Sequence, residues 1–408
     1  MDRSADSSRT GALVPKFGNG RSKNARPPRR FSGKIQDVTA EFLTMRLSFA
    51  AVAAALVLAV PLHSNGASAA PGAKPEPTVA AFDGDLANKV VTKLADSLQD
   101  YFVFPDVGKA YADMLRAKLA AGAYAGFPSA AAFVDSVNAD LQRIHKDGHL
   151  KLFAPGASPY ANHPQPRFIE QSGWIATGVA YIRFFAFPGD PKTLSSLRQF
   201  LDTHASARSL IIDARDHHGG GIAEMDLVFS KIFARRTALV ALDTRQAADA
   251  SHKMPFVQLA SVLPANGPPG YVRRIHWATP SGEPTALRRA NIYLLTSHNT
   301  VSAAEHLAFA LKLTHRATLI GETTRGADHF GTDLELPGGF EAFLPIGRTV
   351  DPATGADWEP GGVKPDIPVP AEKALIVAVE RSGVRRADAV LINSRQPKRD
   401  EWGRPMSS

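Results

Sequence analysis

The chain has 408 residues, with 47 Lys or Arg against 39 Asp or Glu and no cysteine. The missing cysteine excludes disulfides, thiolate metal sites and a cysteine nucleophile. The formal net charge of +8 suggests nucleic acid at first, but nine Lys or Arg and four Asp or Glu lie in residues 1–44 and Arg46 adds one more. The chain from Ala70 onward keeps only about +2, which gives no argument for a nucleic-acid partner.

Residues 1–44 are polar and rich in Arg, Ser and Gly, and they precede what reads as a natural start at Met45. They are expected to be a disordered, non-native upstream extension. Met45-Arg46, the apolar run "LSFAAVAAALVLAVPL" and small residues in A-x-A spacing at Ala67 and Ala69 predict a signal peptide over 45–69, cut near Ala69/Ala70. The apolar run is short for a bilayer, so no stable membrane span is expected after cleavage, and the mature chain is expected to be exported to the periplasm or outside the cell. Residues 70–80 are a Pro/Ala linker.

From 81 to 150 the pattern is helical. Leu86, Val90, Leu94 and Leu98 share one face, Val107, Tyr111, Met114 and Leu115 a second, and Phe133, Val137, Leu141 and Ile144 a third. Pro105 and "AGFPS" at 125–129 separate the three, which predicts a small helical bundle. The texture then changes. "WIATGVAYIRFFAF" (174–187) reads as two strands, and "SLIIDA" (209–214), "NIYLLT" (291–296) and "ATLIG" (317–321) as buried strands. Helical patterns lie between them near 193–204, 222–234 and 302–314. This alternation predicts an α/β domain over 165–375, with short strands in its Pro/Gly-rich last part. A C-terminal helix and polar tail are expected over 376–408.

Three segments carry candidate chemistry. "SLIIDARDHHGGG" ends a buried strand in Gly219, Gly220 and Gly221 ahead of a helix, a turn able to offer bare N–H groups to an anion. It lacks the Lys and Ser/Thr ending of a phosphate-binding loop. Ser302 opens a helix after a strand, where the N–H of Ala303 would face an oxyanion. The spacing Ser302-x-x-Glu305 is also that of a capping box, and on spacing alone the cap reading comes ahead of the nucleophile. His149, with Asp147 nearby, is a candidate base, and Glu359 in "DWEPGGVKPDI" a candidate orienting acid. Neither His217-His218 nor the scattered carboxylates show metal-ligand spacing, so no metal is expected.

Taken together, "DARDHHGGG", "TSHNTVSAAEHLAFAL", "RATLIGETTRGADH", "LPGGF" and "IGRTVDPATGADWEPGGVKPDI" resemble, in order, the core of the tail-specific (C-terminal-processing) serine peptidases of family S41. "DYFVFPDVGKAYADML" and "LQRIHKDGHLKL" resemble the helical leader of the branch with the interphotoreceptor retinoid-binding proteins and the tricorn core. The resemblance implies a ClpP/crotonase-like α/β core with a mixed sheet behind a helical bundle. It also implies a serine-type peptidase without cofactor, acting on peptides or proteins.

The resemblance favours the nucleophile reading of Ser302. Many members pair the serine with a lysine, but the segment here reads Gly321-Glu322-Thr323-Thr324-Arg325-Gly326-Ala327-Asp328, with alanine in the lysine position. The tricorn-like pattern instead implies His149 as base, Glu359 as orienting acid and N–H groups of Gly219 or Gly220 and Ala303 as oxyanion hole. His329 is the reserve base. The stretch between leader and strand pair is too short for a PDZ domain, so cleavage of protein C-termini is not implied. The same fold also suits a non-catalytic binding protein for an apolar, retinoid- or lipid-like ligand.

Overall fold

The computed structural model describes residues 82–157 and 167–397. The expected upstream extension, signal peptide, linker and polar tail lie outside these residues. Among the described residues no helix is long and apolar enough to cross a membrane.

Three helices come first: α1 (Gly84–Tyr101), α2 (Pro105–Ala120) and α3 (Ala130–Ile144). Each starts where local chemistry dictates. Asp83 caps α1 by accepting from Asp85 N–H, Pro105 stands at the first turn of α2, and Ser129 caps α3 by accepting from Ala132 N–H. Their buried stripes include Val90, Leu94 and Leu98, then Tyr111 and Leu115, then Phe133, Val137 and Leu141.

A short strand, β1 (Lys151–Phe153), follows. β2 (Ile169–Ala176) and β3 (Val179–Phe184) form a hairpin, followed by α4 (Pro191–Thr203), β4 (Ser209–Asp213) and α5 (Ala223–Ile232). Next come β5 (Thr237–Arg245), the short α6 (Gln246–Ala250), β6 (Val262–Ala265) and β7 (Tyr271–Ala278). β8 (Asn291–Thr296), α7 (Ala303–Leu313) and β9 (Thr318–Gly321) complete the centre. The chain ends in β10 (Phe330–Glu335), β11 (Glu341–Val350), β12 (Ile367–Pro368), α8 (Ala371–Arg381) and α9 (Arg386–Ser394).

The strands make two six-stranded sheets. One has the order β12-β9-β8-β4-β3-β2, parallel except for the β2–β3 edge pair. The other has the order β1-β11-β5-β7-β6, with β10 also on β11, and is antiparallel throughout. Of this second sheet, β10 and β11 fall in the part where short strands are expected, and β1, β5, β6 and β7 have no counterpart among the strands expected from the sequence. The span from β1 to β2 is too short to hold a PDZ domain.

The bundle keeps no core to itself. Leu94, Leu98, Phe133 and Leu141 pack in one cluster with Phe340, Leu344 and Ile346 of the β10–β11 region. At the other end, the expected boundary at 375/376 needs correction, because it falls inside α8. Ala374, Leu375, Ala378 and Val379 of that helix bury against Ile211, Leu295 and Ile320 of the parallel sheet, and a second helix, α9, adds Ala389. The C-terminal segment therefore covers one face of the α/β layer. Strands β4 and β8 are neighbours in the parallel sheet, so their C-terminal ends open side by side, where such sheets form their crevices.

Candidate active site

β4 is buried along its whole length and ends at Asp213, which is fixed there by three partners. Arg215 Nη2 donates to its Oδ2 at 2.6 Å, Tyr181 Oη donates at 2.7 Å, and Arg183 Nη1 donates at 3.2 Å. These charges hold the Asp213 carboxyl far below the usual carboxylate range against the opposing effect of burial. The chain then turns through His217 to Gly221.

Glycine is required at two points of this turn. Gly219 has φ +91° and lies against the serine: an added Cβ would stand 2.8 Å from Ser302 Cβ. Gly220 has φ +122°, and a Cβ there would meet Phe187 O at 2.1 Å.

From β8 the chain reaches Ser302 through a turn tied down by Thr300, whose hydroxyl donates to Ala214 O at 2.7 Å and accepts from Ser297 N–H at 2.9 Å. Val301 N–H donates to His217 O at 3.1 Å, which joins this turn to the glycine turn. Ser302 itself has φ +60° and ψ −121°. A non-glycine residue there is strained, and such strain concentrates at functional positions, including the serine elbow between strand and helix in other hydrolases.

Glu305 holds that strain in place. Its Oε2 accepts from Ser302 N–H at 2.9 Å, the returning half of the capping box, and from Ala327 N–H at 2.9 Å. Oε1 accepts from Thr324 Oγ1 and Gly326 N–H, both at 2.6 Å. Burial raises the Glu305 carboxyl, and these four donors oppose the rise. One buried carboxylate thus ties the serine elbow to the segment around Ala327. The carbonyl of Ser302 accepts the Glu305 and His306 N–H groups at 2.7 and 3.0 Å, so the start of α7 is satisfied through the backbone.

The loop after α3 supplies the histidine. Asp147 Oδ1 accepts from the N–H groups of His149 and Leu150, both at 2.8 Å, a turn that fixes the backbone of His149. His149 is half-buried, with its ring beside Phe343, and its Nδ1 is buried without a partner among the described residues. Burial lowers its pKa to about 4, with Asp147 opposing and His329 reinforcing the shift. His149 and Ser302 line one cavity of about 980 Å³, together with Gly220, Ala303 and His306.

Glu359 reaches this loop by a route the sequence does not display. Its Oε1 accepts from Gly148 N–H at 2.8 Å, and its Oε2 accepts from Asp328 N–H at 2.8 Å and His329 N–H at 3.2 Å. Among the described residues it makes no hydrogen bond to the His149 ring. The imidazole near it is that of His329, whose Nδ1 lies 3.2 Å from Glu359 Oε2 and 2.7 Å from Asp147 Oδ2.

His329 is raised above its ordinary value: burial opposes the shift, but the Asp147 hydrogen bond and charge and then the Glu359 charge outweigh it. It packs edge-on against Phe104. Asp147, His329 and Glu359 bring ligand-type atoms within 4.8 Å of one another, yet their oxygens already accept from backbone N–H groups and an imidazole. The trio is a clamp on the His149 loop and does not fit a metal.

The glycine N–H groups differ. Gly219 N–H donates to His217 Nδ1 at 3.0 Å, inside a buried pocket of Phe184 and Phe187 rings that lowers the His217 pKa to about 3. Gly220 lines the cavity, and its N–H has no partner among the described residues. The sequence reading missed the pairing of Asp147 with His329 and the clamping role of Glu305. The Asp-x-His spacing of the Asp147 turn was the one local signal available.

Two sequence profiles match this chain. That of peptidase family S41 covers residues 178–369. That of the N-terminal domain of Peptidase_S41 in eukaryotic interphotoreceptor retinoid-binding protein covers residues 81–175. Among solved structures, a lipoprotein from Streptococcus agalactiae is 14% identical with a TM-score of 0.49, over 73% of this chain and 96% of that one. A peptidase-like protein from Parabacteroides merdae is 16% identical with a TM-score of 0.48, over 76% and 97%. The photosystem II D1 C-terminal processing protease is 14% identical with a TM-score of 0.47, over 76% and 98%.

Proposed function

Since the chain belongs to peptidase family S41, we propose that it is a serine-type peptidase in which Ser302 is the nucleophile and His149 the base. The observation that carries this reading is the shared cavity: a serine on a positive-φ elbow and a histidine with an unpartnered buried nitrogen line the same cleft.

His149 is neutral at pH 7 and takes the hydroxyl proton as Ser302 Oγ attacks the carbonyl carbon of a bound peptide. The developing oxyanion is met by the N–H groups of Gly220 and Ala303 at the positive end of α7, while Gly219 shapes the turn. The proton then passes to the leaving amine. Water, deprotonated by the same imidazole, resolves the acyl-enzyme and regenerates Ser302. Asp147 and Glu359 are positioning residues that hold the loop through N–H groups of Gly148 and His149 and through His329.

No lysine stands in this scheme, because the residue at the dyad position is the buried Ala327. The test is incubation with a library of proteome-derived peptides and mass spectrometry of the products. New termini that vanish with Ser302→Ala support the reading, and an unchanged library contradicts it.

One observation favours a second reading. Phe153, Phe256, Phe330, Phe343 and Trp358 also line the cavity, which suits a bound apolar ligand. Saturable binding of retinol or a fatty acid, unchanged by Ser302→Ala and without hydrolysis, would replace the peptidase reading.

A further inference from the structure

One turn past Ser302 on α7, His306 lines the same cavity although it is only 4% exposed. Its Nε2 lies 2.9 Å from Nδ1 of His276 on β7. His276 is fully buried, and its Nε2 lies 2.9 Å from Oδ1 of Asp226 on α5. The other Asp226 oxygen accepts from Ser261 Oγ at 2.7 Å. Side chains on a helix lean towards its N-terminus, so the His306 ring lies over the turn that begins at Ser302.

The proton positions follow from the far end of this chain. A carboxylate has only lone pairs to offer, so His276 Nε2 carries its hydrogen and donates it to Asp226. With that hydrogen as its one ring proton, His276 presents a lone pair at Nδ1, to which His306 donates its Nε2–H. That leaves His306 Nδ1 as a bare lone pair, with no partner among the described residues. Burial holds His306 well below the ordinary histidine range, so the ring stays uncharged.

We propose that the Asp226–His276–His306 chain fixes His306 Nδ1 as a hydrogen-bond acceptor for a backbone N–H of the peptide bound beside Ser302, which makes His306 a specificity-determining residue. This rests on the peptidase reading of the cleft. A peptide offers one N–H per residue, and each that leaves water needs an acceptor. Ile222, Phe330 and Trp358 are among the lining of the cavity and offer only side-chain carbon or a donor, so the imidazole supplies an acceptor that they do not.

Two measurements test it. The first uses a pair of peptidyl diphenyl phosphonates that differ only in N-methylation of the amide nearest phosphorus. The wild type should be modified at Ser302 about tenfold more slowly by the methylated probe. His306→Phe should react slowly with both, within about twofold of each other. Asp226→Asn, outside the cavity, can donate to His276 and so releases the other tautomer; its discrimination between the probes should shrink.

The second is the imidazole ¹⁵N NMR spectrum of the resting protein, in which His306 should carry its proton on Nε2 and none on Nδ1. Equal rates of the two probes on wild type, or a proton on Nδ1, would overturn the proposal. If neither probe modified wild type while the tautomer was as stated, the peptidase reading would fall, and the substrate half of this proposal with it. If His306→Phe did not fold, the wild-type probe pair and Asp226→Asn would still decide.

Discussion

Gly148 lies directly against Ala327: a Cβ on Gly148 would stand 2.8 Å from the Cβ of Ala327, which is fully buried. The loop that carries His149 therefore occupies the space in which a longer side chain at 327 would lie. We propose that a lysine at 327 and the His149 loop exclude each other sterically, in keeping with His149 as the base.

Ala327→Lys tests that exclusion. A lysine there overpacks the contact with Gly148 and buries an ammonium group, so stability should fall by about 1–3 kcal/mol or more, with no gain in activity. Denaturant unfolding and peptide hydrolysis measure the two halves. A variant as stable as wild type and at least as active would show that the lysine position is open.

His149 and His329 should fail in different ways. His149→Ala should lose about 10²- to 10⁴-fold in kcat with little change in stability. His329→Ala leaves the buried Asp147 and Glu359 carboxylates without their imidazole, and should cost about 3–5 kcal/mol of stability. Paired kinetics and thermal melts decide, and the opposite pattern would transfer the base role to His329.

The pH profile should be displaced. An ordinary histidine base would lose activity as pH falls through about 6–7. His149 is instead held down to about 4 by burial. Its proton-free form is the active one, so kcat/KM should stay level from pH 7 to about 5 and fall as pH drops through about 4. Initial rates in overlapping buffers, with circular dichroism to exclude acid unfolding, check this. A limb centred near 6.5 would mean that His149 is not buried as described or is not the base.

Much of this site was legible locally. Ser302 after an apolar strand, three glycines after another and the three helical stripes each announce themselves within some twenty residues. What stayed hidden depends on distance along the chain or on double duty. Asp147 and His329 are 182 residues apart in sequence and meet only through the fold. Glu305 reads as a capping residue, which it is, but the same carboxylate also accepts from Thr324, Gly326 and Ala327. The middle of the antiparallel sheet escaped, in part because β7 carries Arg273 and Arg274 and lacks a clean apolar run. These charges are neutralised by Asp243 and Asp249, on β5 and α6, and no local pattern shows that. The Asp226–His276–His306 chain joins three elements and leaves no signature in any one of them.

Export is a separate proposal, resting on Met45-Arg46, the apolar run and the A-x-A spacing before Ala70. N-terminal sequencing of the protein from the medium or the periplasm should give a first residue near Ala70. Material from those fractions that still carries residues 1–44 would sink the proposal.

The central claim is that Ser302 is a nucleophile as well as the N-cap of a helix. Reaction of the intact protein with a fluorophosphonate, followed by peptide mass spectrometry, addresses it most directly. One adduct per chain on Ser302 is expected. Ser302→Ala should lose the adduct and, because the start of α7 is satisfied through the backbone, should cost no more than about 0.5 kcal/mol of stability. Ser302→Thr, which puts a β-branched residue at φ +60°, should lose some stability and react far more slowly, because the added methyl crowds the hydroxyl. A wild-type protein that folds and remains unmodified, or one modified at another residue with Ser302 untouched, would contradict the account.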